Sequence, residues 1–151
     1  MNREIKFRSK RVDNGEWVYG YYILREEQSP VIETTETYKQ HLICTYDISG
    51  LNEYSVIPST VGQFTGLKDK NGVEIYEGDI LINTPKSDWD KINYTDYEVF
   101  FHDGDGHSDY NIGYTMCRTT HHGSVCGGYI PSFKPKIVAK MEVIGNIHDK
   151  K

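Results

Sequence analysis

The sequence predicts an all-β protein, and three observations carry that prediction. Residues branched at Cβ dominate the chain: 10 Val, 15 Ile and 11 Thr stand against 5 Leu and a single Ala, Ala139. Branching costs rotamer freedom in a helix but suits the pleated surface of a sheet. A helical domain of this composition would be built from poor helix formers. Twelve Tyr add to the same bias. The second observation is a two-residue alternation of apolar and charged side chains near the N-terminus. The third is punctuation by turn signals about every 8–12 residues, the rhythm of a small barrel or sandwich.

The first 25 residues predict a hairpin. Ile5 and Phe7 alternate with Glu4, Lys6, Arg8 and Lys10, giving one apolar and one charged face. Asn14-Gly15 readily takes the positive φ angles of a tight turn, and the returning strand sets Trp17, Tyr19, Tyr21 and Ile23 on one face. The expectation is that Ile5, Phe7, Trp17, Tyr19 and Tyr21 share a buried side. Segments 30–35, 41–46 and 53–57 predict further strands, with Asp47-Ile48-Ser49-Gly50 as a turn and Pro58 as a stop. Gly66, Gly72 and Gly78 then cut the chain into short extended pieces. Lys68-Asp69-Lys70-Asn71-Gly72 forms a turn between Phe64 and Ile75-Tyr76. Strands are expected at Ile80-Leu81-Ile82, at 97–101, at 110–116 and 125–130 within a loop-rich stretch, and from Ile137 to Ile147, with Gly145 marking a bulge.

Composition bounds the function. A formal charge of −5 works against nonspecific binding to phosphate backbones. No apolar stretch approaches the ~20 residues that span a bilayer, so no membrane partner is expected. The chain opens Met1-Asn2-Arg3-Glu4 without the basic start and apolar run of a secretory leader. Three scattered Cys fit reduced thiols in a cytoplasm better than a disulfide framework.

Thr60-Val61-Gly62-Gln63-Phe64-Thr65-Gly66-Leu67-Lys68-Asp69-Lys70-Asn71-Gly72, followed by Glu74-Ile75-Tyr76-Glu77-Gly78-Asp79-Ile80, resembles the YopX family of bacteriophage and prophage proteins. Ile5-Lys6-Phe7-Arg8 is similar to that family's opening strand, and Glu142-Val143-Ile144-Gly145-Asn146-Ile147 to its closing one. Segments 25–53 and 102–132 match nothing recognisable and look like variable insertions. The resemblance implies a mainly-β fold with an SH3-like barrel in the C-terminal part, packed with an N-terminal β-sheet. One domain is expected over 1–151, with sub-parts 1–58 and 59–151. It also implies an accessory role in a bacterial host, and it carries no activity, cofactor or catalytic residue to transfer.

The motif itself has a structural explanation, with glycines at turns and Asp79 bonding nearby backbone amides where the chain enters the Ile80 strand. Its charged positions, Lys68, Asp69, Lys70 and Glu77, are the candidate interaction loop, since recognition residues often sit on loops held by sheets.

Other constellations are weaker. Cys117, His121, His122 and Cys126 form a Cys-x3-His-His-x3-Cys cluster whose spacing is unlike that of closed zinc sites. A hairpin is the preferred explanation. A turn at His121-His122 would oppose Cys117 and Cys126, whereas one at His122-Gly123 would pair Cys126 with Thr119. His102, Asp103, Asp105, His107 and Asp109 mimic a calcium loop, but Ser108 and Tyr114 stand where Gly and Glu are needed. A solvated turn is expected there. Lys6, Arg8, Lys10 and Arg11 lie near Trp17, Tyr19 and Tyr21. They form a candidate nucleic-acid face, because cations interleaved with aromatics bind single strands. If the aromatics are buried, those charges are simply a solvated face. No phosphate loop, nucleophile elbow or zinc-protease motif occurs, so the chain is read as a non-enzyme without cofactor or metal. Its expected partner is an unknown phage or host protein. An open edge strand leaves room for a homo-oligomer.

Overall fold

A computed structural model describes residues 4–28, 37–83, 96–102, 113–120, 123–124 and 133–149. The chain is all-β, with antiparallel pairings that fall into two sheets. Among the described residues neither sheet closes on itself. The chain divides into two compact units, 1–63 and 64–151.

In the first unit the expected hairpin forms between β1 (Phe7–Lys10) and β2 (Trp17–Gln28). Gly15 takes φ 73° in the turn, where a side chain would be strained. β3 (Thr37–Asp47) pairs with β2, and β4 (Gly50–Ser55) pairs with β3 across the expected turn. On its other side β1 pairs with Gly62 and Gln63, the start of β5 (Gly62–Lys68). A 3-10 turn at Pro58–Thr60 leads into β5. It is pinned to β1 by the buried hydroxyls of Ser9 and Thr60, 2.8 Å apart, and by the Lys10 amide donating to Thr60 Oγ1.

The hairpin register overturns one expectation. Phe7 lies opposite Gly20, Arg8 opposite Tyr19 and Lys10 opposite Trp17. Opposed residues in an antiparallel pair share a face, so Trp17, Tyr19 and Tyr21 stand with Arg8 and Lys10 and not with Phe7. Ile5, Tyr19 and Tyr21 are exposed, and Phe7 and Trp17 are half-buried. The Phe7 face instead carries Ser9 and Ile43, both fully buried, together with Val18 and Tyr22. The Phe7 and Tyr22 rings meet diagonally at 5.7 Å over Gly20.

In the second unit the later part of β5 pairs with β6 (Glu74–Tyr76). β7 (Asp79–Asn83), β8 (Asp96–His102), β9 (Gly113–Thr120) and β10 (Gly123–Ser124) form a meander. β11 (Met141–Asn146) returns to pair with β7, with the expected irregularity between Val143 and Gly145. The core joins Ile75, Leu81, Val99, Met116, Val138 and Met141. The last strand begins later than the sequence predicted. Residues Pro135–Val138 form a helical turn, α1, because Pro135 at its first position needs no amide partner and already has a helical φ. The Ala139 amide donates to the Pro135 carbonyl at 2.9 Å, and Val138 is driven into the core.

Thr119 lies opposite Ser124 and Thr120 opposite Gly123. His121, His122, Cys126 and residues 103–110 of the calcium-like run lie outside the described residues, as do the strands expected at 30–35 and 125–130.

Gly20 is where the first sheet is tightest: a Cβ there would meet the Cys44 carbonyl oxygen at 2.3 Å and Ile43 Cγ2 at 3.1 Å. Gly20→Val is expected to destabilise the chain by about 1–3 kcal/mol in urea unfolding, the usual cost of overpacking. Gly15→Asn meets nothing within 4 Å but keeps a positive φ that Asn tolerates better than most residues, and is expected to cost less, about 1 kcal/mol or below. Equal losses for the two would contradict the packing described.

Candidate functional site

The candidate nucleic-acid face and the candidate interaction loop occupy different units, and each is shaped by its strand register. In the first unit, alternation along β2 carries Trp17, Tyr19, Tyr21, Ile23 and Arg25 on one face. Leu42 and Cys44 of β3 lie on the same face, opposite Ile23 and Tyr21. Glu53 of β4 lies opposite Cys44. Arg25 reaches across β3 to grip the Glu53 carboxylate with both guanidinium nitrogens, one at 3.0 Å. That hydrogen bonding holds Glu53 below the usual carboxylate range. Leu42 and Cys44 are buried, whereas Tyr19, Tyr21 and Ile23 stay exposed, Tyr21 at 65%. Burial, and then the nearby Glu53 charge, push the Cys44 thiol up, as befits a thiol packed within a sheet.

The four cations of this region are engaged within the chain. The Arg8 guanidinium sits 4.6 Å from the Trp17 ring centroid and the Lys10 ammonium 5.2 Å from it. Arg8 as a whole is buried. Lys6 lies 3.8 Å from a Glu4 carboxylate oxygen. Arg11 stacks at 4.6 Å over Tyr54 and is held by the Asp13 carboxylate, which it keeps below its ordinary value by hydrogen bonding. The face is therefore aromatic with tethered cations, and not a free basic patch.

In the second unit Asp69 is buried and does structural work. Its Oδ1 accepts the Asn71 amide at 2.7 Å and the Val73 amide at 2.9 Å, and its Oδ2 accepts the Val143 amide of β11 at 3.1 Å. The Lys70 amide donates to the Met141 carbonyl, and the Lys70 ammonium pairs with Glu142 at 2.7 Å. The expectation of four exposed loop charges is corrected here: Asp69 is inside, Glu77 is half-buried, and Lys68 and Lys70 remain at the surface. Asp79 is also fully buried. Its Oδ2 accepts the Tyr76 amide at 2.9 Å, as the sequence led one to expect, and its Oδ1 accepts from Asn146 at 3.3 Å. The long central motif and the closing strand thus bind each other through two buried carboxylates.

A family model described as YopX protein matches residues 6–150. The chain belongs to the YopX family. No curated protein matches it. Among solved structures it is similar to the crystal structure of protein EF1440 from Enterococcus faecalis, at 22% identity and a TM-score of 0.48, covering 97% of this chain and 95% of that one. In this YopX-family chain the string from Thr60 to Ile80 is a folding device around Asp69 and Asp79. Of its charged side chains, Lys68 and Lys70 remain exposed.

Sequence reasoning missed the exposed Tyr19, Tyr21 and Ile23. The signal was present in the Asn14-Gly15 turn. A two-residue turn there pairs odd-numbered residues of β1 with even-numbered residues of β2, which already separates Phe7 from Tyr19 and Tyr21. Also unremarked was the apolar tip of the β3–β4 hairpin, where Tyr46, Ile48 and Leu51 are exposed.

Asp69→Ala removes the acceptor of three backbone amides and is expected to cost about 2–4 kcal/mol, given about 1.5–3 kcal/mol for one hydrogen bond to a charged group. Asp69→Asn, which keeps one carbonyl oxygen, is expected to lose less. Chemical denaturation of the two variants is the check, and an Asp69→Ala protein as stable as the parent would contradict the structural role.

Proposed function

We propose that this YopX-family chain is a phage- or prophage-encoded accessory protein that works by protein–protein contact inside the bacterial cell, without catalysing a reaction. The observation that carries the reading is the Tyr19, Tyr21 and Ile23 face of the first sheet. Three large apolar side chains stand in a row on rigid strand backbone, exposed to solvent, beside an internally satisfied Arg25–Glu53 pair. Grouped exposed apolar side chains are characteristic of interaction surfaces, and Tyr is favoured there because it brings contact area at low entropic cost. The engaged cations and the overall acidity favour a protein over a nucleic acid.

The finer fold reading belongs with this proposal. We read the second unit as an elaborated SH3-type barrel. In support, β7–β8–β9–β10 run as a meander, a helical turn follows, and β11 returns to the free side of β7. Barrels of this kind commonly serve as platforms for loops that recognise other molecules.

A second reading, binding of single-stranded nucleic acid, is favoured by one observation: Tyr19 is exposed directly opposite Arg8, close to Lys10 and Trp17. Bases stack on such side chains. Salt-dependent retention on single-stranded DNA, lost on Lys6→Glu with Lys10→Glu, would support it. Arg8 is buried, so its reversal would damage the fold instead of testing the face.

For the leading reading, affinity capture from the phage-infected host is expected to recover a reproducible protein. Tyr21→Asp with Ile23→Asp is expected to weaken its binding at least about tenfold, as for central contact residues elsewhere. Recovery of no protein partner, or capture indifferent to the double variant, would overturn the reading.

A further inference from the structure

The β3–β4 hairpin ends in a turn unlike the others described. Within six residues it presents Tyr46 at 82% exposure, Ile48 fully exposed and Leu51 at 63%. The turns at 12–15 and 70–73 each present one exposed Val, Val12 or Val73. Tyr46 and Leu51 are register partners and so share a face. A large aliphatic side chain at a solvent-exposed tip contributes nothing to the fold that carries it.

The tip is also held in one shape. The Asp47 carboxylate accepts the Ser49 amide at 2.7 Å and the Ser49 hydroxyl on Oδ1, and the Asn52 amide group at 3.0 Å on Oδ2. Gly50 takes φ 114°, a conformation open to glycine and strained for other residues. The hydrogen bonds from Ser49 keep Asp47 below the ordinary carboxylate range, so it stays charged at neutral pH. A knob fixed in advance loses little conformational freedom on binding, which is how preorganisation raises affinity.

The charge around the knob narrows what it meets. From Tyr46 to Asn52 the only formal charge is the Asp47 carboxylate, and the next one, Glu53, is neutralised by Arg25. A phosphate backbone or an anionic bilayer surface would be repelled by such a tip. An apolar pocket with a basic rim complements it.

We propose that the β3–β4 tip is a preformed docking knob whose Ile48, flanked by Tyr46 and Leu51, enters an apolar pocket with a basic rim on a protein partner. This rests on the protein-contact reading and names the point of contact within it. The test places a benzophenone amino acid at position 48 of the full chain in phage-infected host cells, with parallel chains labelled at positions 21 and 73. Irradiation is expected to give one discrete protein adduct from position 48 and none from position 73. Once that protein is identified and purified, Ile48→Ser and Leu51→Ser are each expected to weaken its binding at least about tenfold. Asp47→Ala, which unlocks the turn, is expected to weaken it as well and to lower the melting temperature slightly, whereas Ile48→Ser and Leu51→Ser should keep the parent value. Affinity unchanged by either apolar substitution would overturn the proposal. An adduct with nucleic acid, with lipid or with a second copy of the chain would also overturn it. A protein adduct from position 21 but none from position 48 would remove the knob and leave the protein-contact reading standing. No protein adduct from either would remove both.

Discussion

Much of the first unit follows from a single register, Phe7 opposite Gly20. Because side chains alternate along a strand, one such pairing assigns every residue of both strands to a face. Gly20 is what permits it. Without a side chain at that position, the β3 backbone comes close enough for the Cys44 carbonyl to occupy the place of a Cβ. Phe7 then packs diagonally on Tyr22, and Tyr22 in turn meets the His41 ring nitrogen with its hydroxyl. One face is thereby filled around Ile43, Ser9 and Val18; on the other, Leu42, Cys44 and Arg8 are buried while Tyr19 and Tyr21 stay exposed. The register thus separates the exposed aromatics from the Phe7 face.

The second unit solves a different problem with buried charge. Its closing strand is separated by most of the unit from the turn it must meet, and carboxylates bridge that distance. Asp69 collects amides from its own turn and from β11, while Asp79 joins the entry of β7 to Asn146. A buried carboxylate is costly unless its acceptor capacity is filled, and filling it from two segments distant in sequence makes each conditional on the other. Asp69 and Asp79 therefore cannot be exchanged without leaving backbone amides unbonded. The large exposed aromatic side chains of the first unit are found on other elements.

The fold class, the first hairpin, the turn at 47–50 and the bulge near Gly145 were legible in the sequence because each depends on local chemistry: Cβ branching, Asn-Gly, Asp-rich turns and a strand glycine. Which face of the hairpin is buried was not legible from apolar character, since both faces carry aromatics and only the pairing register separates them. Asp69 looked like a solvent charge for a similar reason. Charged residues in turns are usually hydrated, and nothing near it in sequence announces that Val143, far along the chain, will donate to it. The helical turn at Pro135 was hidden because Ile137 and Val138 are strand formers by propensity, overridden there by the geometry of a proline that begins a helix.

The functional reading stands on Tyr19, Tyr21 and Ile23 being exposed on the face opposite Phe7, and adjacent tyrosines allow a direct check. Tyr21 and Tyr22 point to opposite faces, one 65% exposed and the other half-buried against Phe7 and His41. Brief nitration of the native protein, followed by peptide mapping with fragmentation to resolve neighbouring residues, reads both at once. Modification is expected at Tyr21 and Tyr46, with Tyr22 and the buried Tyr76 protected. Nitration of Tyr22 with Tyr21 spared would place the aromatic row inside, and would contradict the register from which the contact surface is drawn.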